Sequence, residues 1–156
     1  MKLAQKIKEA AASKATVRLS SFAVSAALAA CCLIAFPSNA NAAERGAYNG
    51  ACGAGYSVVN QQTVFSEGGL PAAKVYLTYS KATGKNCAVT VNAWDDSAWL
   101  FGVNLERSDN PDSYQSDYGT YRVYAGPVYV NAKGTCVNWG GQWRYQTAYR
   151  SNTNCG

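Results

Sequence analysis

Lys74-Val75-Tyr76-Leu77-Thr78-Tyr79-Ser80, then Lys81-Ala82-Thr83-Gly84-Lys85-Asn86, then Cys87-Ala88-Val89-Thr90-Val91, is the stretch that decides the fold. In an extended chain Val75, Leu77 and Tyr79 fall on one side, and Tyr76 and Thr78 on the other. In the last segment Cys87, Val89 and Val91 share a face. Between the two lies a polar loop containing Gly84, a residue that takes positive φ without a Cβ clash. The stretch therefore reads as strand, hairpin loop, strand.

The same pattern extends in both directions. Tyr56–Val59, Val64-Phe65, Trp99–Leu105, Tyr121–Tyr124, Val128–Asn131, Thr135–Asn138 and Trp143–Tyr149 are further strand candidates. In Trp99–Leu105 the large side chains Trp99, Phe101, Val103 and Leu105 share one face. The separators are turn formers: Gly50–Gly55, Ser66–Pro71, Gly126-Pro127, Ala132-Lys133-Gly134 and Gly140-Gly141. Ser108–Gly119, with Asn110-Pro111-Asp112, reads as a polar loop. After residue 43 no stretch sustains a 3.6-residue apolar period. The expected fold is all-β: a small disulfide-bonded antiparallel β-sandwich or barrel of about seven or eight short strands. The eleven tyrosines suit half-buried strand positions, with the ring packed and the hydroxyl in water.

The N-terminal segment differs in character. Lys2, Lys6, Lys8, Lys14 and Arg18 form a basic region, followed by an apolar run from Phe22 to Phe36 that ends at Pro37. Ala40 and Ala42 supply the small residues of an A-x-A cleavage site. Residues 1–42 are thus expected to be a signal peptide and 43–156 a single secreted β domain. The 15-residue apolar run is short of the ~20 residues needed to span a bilayer. An alternative is a lipoprotein anchored at Cys31, since Leu28-Ala29-Ala30-Cys31 has the form of a lipoprotein box.

Without the export segment the +5 net charge of the chain falls to +1, from nine basic and eight acidic residues. No Lys/Arg run remains, so nucleic acid is not an expected partner. Membrane contact is expected only through the signal segment. Histidine is absent, which excludes Ser-His-Asp and Cys-His catalysis and His-ligated zinc within the chain. Four of the six cysteines remain: Cys52, Cys87, Cys136 and Cys155. An even number in a small exported domain reads as a disulfide framework. Of three pairings, Cys52–Cys87 with Cys136–Cys155 is favoured because it is sequential and needs no threaded crossing. No C-x-x-C occurs, so no metal and no cofactor is expected.

Three constellations remain as candidates. Asp95, Asp96 and Glu106 are the acids from which a small hydrolase would be built, since a glycosidase needs two carboxylates ~5–10 Å apart. Asp109, Asp112 and Asp117 share one segment, but lack the spacing and turn glycine of an EF-hand. The third is aromatic. Trp94, Trp143, Tyr114 and Tyr118 are the candidate ligand-binding residues, able to present ring faces to a sugar or peptide. Trp99 and Trp139 are assigned to the core, whereas Trp94 precedes an acidic turn and Trp143 follows a glycine pair.

Several segments resemble the spore-associated protein A family of secreted actinomycete proteins. They are Tyr48–Tyr56, Val75–Tyr79, Gly84–Cys87, Tyr124–Val130, Cys136–Gly141 and Asn154-Cys155-Gly156. One departure is Asn138, where the family is expected to carry an aspartate. The resemblance implies secretion, association with the spore or cell surface, and no catalytic residues. The expected function is a non-catalytic interaction or structural module. Its expected partner is a spore or cell-envelope surface component such as a polysaccharide. A secreted inhibitor or antimicrobial effector, with Ser108–Gly119 as its reactive loop, is the alternative, and a small hydrolase the third reading.

Overall fold

The structure is a computed structural model that describes residues 44–156. The expected signal segment, its expected cleavage site and Cys31 lie outside the described residues. The described chain forms eight strands: β1 (Ser57–Phe65), β2 (Pro71–Ser80), β3 (Lys85–Asn92), β4 (Trp99–Arg107), β5 (Asn110–Tyr121), β6 (Tyr124–Asn131), β7 (Val137–Trp143) and β8 (Gln146–Thr153). They make two four-stranded sheets, ordered β1-β2-β3-β6 and β5-β4-β7-β8. Every pairing within them is antiparallel. This is the sandwich form of the expected all-β fold.

The deciding hairpin forms as its alternation dictates. β2 and β3 pair from Ala73↔Asn92 to Ser80↔Lys85, and Gly84 closes the loop at φ 68°. Val75, Leu77 and Ala88 face the second sheet, where Phe101, Val103 and Leu105 of β4 and Val137 and Trp139 of β7 meet them. Burial of this interior is the main driving force for the fold. Thr90 also faces inward, and its hydroxyl donates across the sandwich to the Gly102 carbonyl at 2.8 Å.

The opposite face of the first sheet is covered as well. Residues 44–56 run over it as a strap, enclosing Tyr76, Cys87, Val89 and Val91 with Tyr48, Ala51, Cys52 and Tyr56. Three attachments hold the strap. Cys52 is bonded to Cys87, the Tyr76 hydroxyl donates to the Gly46 carbonyl at 2.7 Å, and the Tyr129 hydroxyl donates to the Cys52 carbonyl at 3.1 Å. Surface ion pairs Lys74–Glu44 and Arg45–Asp96 add little in high dielectric. Cys136–Cys155 ties the start of β7 to the chain beyond β8. Both disulfides follow the expected pairing.

Three sequence expectations are corrected. Ser108–Gly119 is not a loop: most of it is β5, the edge strand of the second sheet. An edge strand pairs on one side only and is mostly exposed here, so its composition is polar. Pro111 sits near its start, where a missing N–H is tolerated. Gly140-Gly141 does not separate strands but lies inside β7. A Cβ on Gly141 would stand 2.3 Å from Thr90 Oγ1 and 2.5 Å from Val75 Cγ2, so glycine is what lets the sheets approach there. Gly126-Pro127 lies within β6, an edge strand, beside the register shift opposite Ala88 and Thr90. A proline fits at such an irregularity.

Asp117 of β5 closes the gap between the two sheets at this edge. It accepts from the Gly126 amide of β6 at 2.7 Å and from the Tyr121 hydroxyl at 2.6 Å. Burial and then this carboxylate push the Tyr121 phenol up to about 12. The folded protein therefore holds this proton above pH 10, where an unfolded tyrosine releases it. The Tyr121 contribution to stability is complete below pH ~10 and is lost as pH rises towards ~12. Asp117→Asn should lower the Tyr121 midpoint in an ultraviolet phenolate titration. An unchanged midpoint would remove the role assigned to the carboxylate.

Candidate functional site

The loops at one end of the sandwich gather three of the four tryptophans. Trp94 comes from the β3–β4 loop, Trp99 opens β4 and Trp143 closes β7. The Trp94 and Trp143 ring centroids are 5.3 Å apart, and those of Trp99 and Trp143 are 5.7 Å apart, both tilted. Such tilted geometries avoid the face-to-face sandwich that the ring quadrupoles disfavour. Arg144 lies across this group, its guanidinium carbon 5.3 Å from the Trp99 centroid and 5.5 Å from that of Trp143. These are cation–π distances.

The turn that places Arg144 is unusual. Arg144-Tyr145 joins β7 to β8, and Arg144 has φ 53°, a region favouring glycine or asparagine. Its amide donates to the Leu100 carbonyl at 2.8 Å, which anchors the turn against β4. The turn also projects Tyr145, 82% exposed.

Trp94, Trp143, Arg144 and Tyr145 border an open groove of about 230 Å³. One wall is the β1–β2 loop with Ser66, Glu67, Gly68 and Leu70; the other side is Trp94, Trp143, Arg144, Tyr145 and Gln146. Asp95 stands behind the cluster. Its carboxylate accepts from the Trp99 indole N–H at 2.9 Å and from the Ser97 amide at 2.8 Å. Those bonds, the indole first, hold Asp95 below the usual carboxylate range. Asp95 therefore fixes the Trp99 ring rather than standing free for acid–base work.

The candidate residues divide between two places. Trp94 and Trp143 come together at the groove. Trp143 is not a surface residue, however: it is 3% exposed and belongs to the core, so it is the floor beneath Trp94. Its indole N–H is buried without an acceptor. Trp139 is fully buried, whereas Trp99 is only half-buried. Tyr114 and Tyr118 lie elsewhere, on β5, at 47% and 48% exposure. The Tyr118 ring covers Gly102, and the Tyr114 phenol is raised first by its hydrogen bond to Tyr118. Near them Glu106 accepts from Asn138 Nδ2 at 2.9 Å and from the Tyr149 hydroxyl at 3.4 Å. Asn138 also accepts the Asn152 amide at 2.8 Å. An ionised aspartate there would face Glu106 with no proton to donate, so the amide suits this chain.

The carboxylates do not converge. Asp95 and Asp96 precede β4 and Glu106 stands near its far end, a separation of roughly 20 Å of extended strand. Asp96 is paired with Arg45 at 2.8 Å. The acids of the β5 segment are likewise divided, since Asp109 pairs with Arg107 at 2.8 Å and Asp117 is bound to Tyr121 and Gly126. Among the described residues no three such side chains group as metal ligands. No local sequence signal marks Arg144 and Tyr145 as site residues. The pair lacks the glycine or asparagine that marks a two-residue hairpin.

The chain is similar to the spore-associated protein A of Streptomyces coelicolor, with 44% identity over 118 residues, 75% of this chain and 72% of that protein. No family model matches the chain, and no solved structure matches it.

Proposed function

The chain belongs to the spore-associated protein A family, and on that premise we propose a non-catalytic module that attaches to a polysaccharide of the spore or cell envelope. One observation carries this reading: the groove lined by Trp94, Trp143, Arg144 and Tyr145, with the Trp94 ring 5.3 Å from that of Trp143. Ring faces with a few polar groups at the rim are what a sugar face needs, apolar contact plus hydrogen bonds. The disulfides fit an extracellular or surface location. The dispersed acids favour binding over hydrolysis. The inhibitor alternative loses its candidate reactive loop, because most of Ser108–Gly119 is strand.

The test is retention of the purified protein on washed spores and on purified cell walls. The protein should be retained. Trp94→Ala combined with Tyr145→Ala should cut the bound fraction at least about tenfold, an effect of hot-spot size. Tyr145→Ala alone should leave the unfolding temperature nearly unchanged, since Tyr145 is exposed, whereas Trp94 packs against the core, so circular dichroism checks that the double variant folds. Retention unaffected by the double substitution would rule out the groove, and absence of any retention would rule out the module.

A further inference from the structure

The groove has a chemical signature beyond its aromatic surface. Its lining carries two formal charges of opposite sign, Glu67 on the β1–β2 loop and Arg144 on the β7–β8 turn. Neither is paired in the ion pairs among the described residues, which are Arg45–Asp96, Lys74–Glu44 and Arg107–Asp109. Arg144 offers a fork of donors held against two indoles, and Glu67 offers acceptors. An anion would meet Glu67 and a cation would meet Arg144, so the lining favours a neutral ligand with a donor and an acceptor. A volume of about 230 Å³ is below the ~300–1,000 Å³ of common small-molecule pockets, which suits one ring at a time. The backbone of Arg144 holds a sparsely populated conformation at φ 53°, and such residues cluster at binding sites.

Resting on the glycan-binding reading above, we infer that the groove selects an N-acetylated hexosamine unit. An acetamido group combines what the lining lacks. Its carbonyl accepts from the Arg144 guanidinium, its N–H donates to the Glu67 carboxylate, and its methyl group and the ring C–H face pack on Trp94 and Tyr145. Trp94 and Trp143 both line the groove, so binding changes tryptophan emission.

Three tetrasaccharides of one linkage, β-1,4, separate the possibilities: the N-acetylglucosamine tetramer, the glucosamine tetramer and the glucose tetramer. Titration followed by tryptophan emission and by calorimetry should give the N-acetylated tetramer at least about tenfold tighter binding than the glucose tetramer. The cationic glucosamine tetramer should bind weakest. Arg144→Gln and Glu67→Gln should each shrink the preference while glucose-tetramer binding persists, with circular dichroism checking that each variant folds. Equal affinity for the N-acetylated and glucose tetramers overturns the acetamido inference and leaves the glycan-binding reading standing. Binding to none of the three, with retention on spores intact, overturns this inference alone. Binding to none together with loss of retention overturns both.

Discussion

Trp139→Ala should destabilise the protein by about 3–5 kcal/mol, the cost of truncating a fully buried tryptophan. The ring is 0% exposed and lies between the sheets with Leu105, Val137 and Val103 in the same cluster. It is fixed at its polar end, where the indole N–H donates to Thr153 Oγ1 at 2.9 Å. Truncation opens a cavity between the two packed sheets, and removes a part-buried hydrogen bond between β7 and β8. The stability of a domain this size is ~5–15 kcal/mol, so the loss is a large fraction of it. In urea unfolding the midpoint should fall sharply with the slope nearly unchanged. Trp139→Phe separates the two contributions: it keeps most of the volume and gives up mainly the hydrogen bond, worth about 1 kcal/mol. A Trp139→Ala loss no larger than that of Trp139→Phe would mean the ring does not support the interior as described.

Trp139 also illustrates where sequence reading succeeds. In β4 beside it Phe101, Val103 and Leu105 alternate with Gly102, Asn104 and Glu106, and a central strand paired on both sides leaves that alternation undisturbed. The β2–β3 hairpin was legible for the same reason. The edges were not. β5 has solvent on one flank and across most of its outer surface, so Asp112, Ser113, Gln115 and Ser116 carry no burial signal. Gly141 reads as a breaker in isolation; its reason lies across the sandwich, in Thr90 and Val75. The site shows the same division. Trp94 precedes an acidic turn and is half-buried, whereas Trp143 follows a glycine pair and is buried rather than at the surface. The burial of Trp143 depends on how β7 crosses the first sheet, which no local pattern encodes. Arg144 became visible only as a positive φ with two indoles beneath it. The strap is intermediate: the pairing of Cys52 with Cys87 was anticipated, but its consequence, a second apolar layer over Tyr76, Val89 and Val91, was not.

That layer makes the Cys52–Cys87 bond the more consequential of the two disulfides. Replacing both cysteines by alanine avoids leaving a free thiol, and should cost about 4 kcal/mol by the loop-closure relation for a separation of 35 residues. The same relation gives about 3 kcal/mol for Cys136–Cys155, with its separation of 19. The gap should widen beyond this entropic difference. Without its covalent tie the strap depends on the Tyr76–Gly46 and Tyr129–Cys52 hydrogen bonds and on the packing of Tyr48 against Tyr76 at 5.5 Å. Strap opening would expose Tyr76, Val89 and Val91, all buried in the intact protein. Hydrogen exchange reports this directly. Amides of the strap, such as Ala47 and Gly53, should lose protection in the Cys52/Cys87 variant while those of β4 and β7 keep theirs. The Cys136/Cys155 variant should leave the strap protected and loosen the end of β8 instead. Equal protection of the strap in both variants would show that the aromatic and hydrogen-bonded contacts alone hold it down. The 35-residue cross-link would then act on the unfolded chain only.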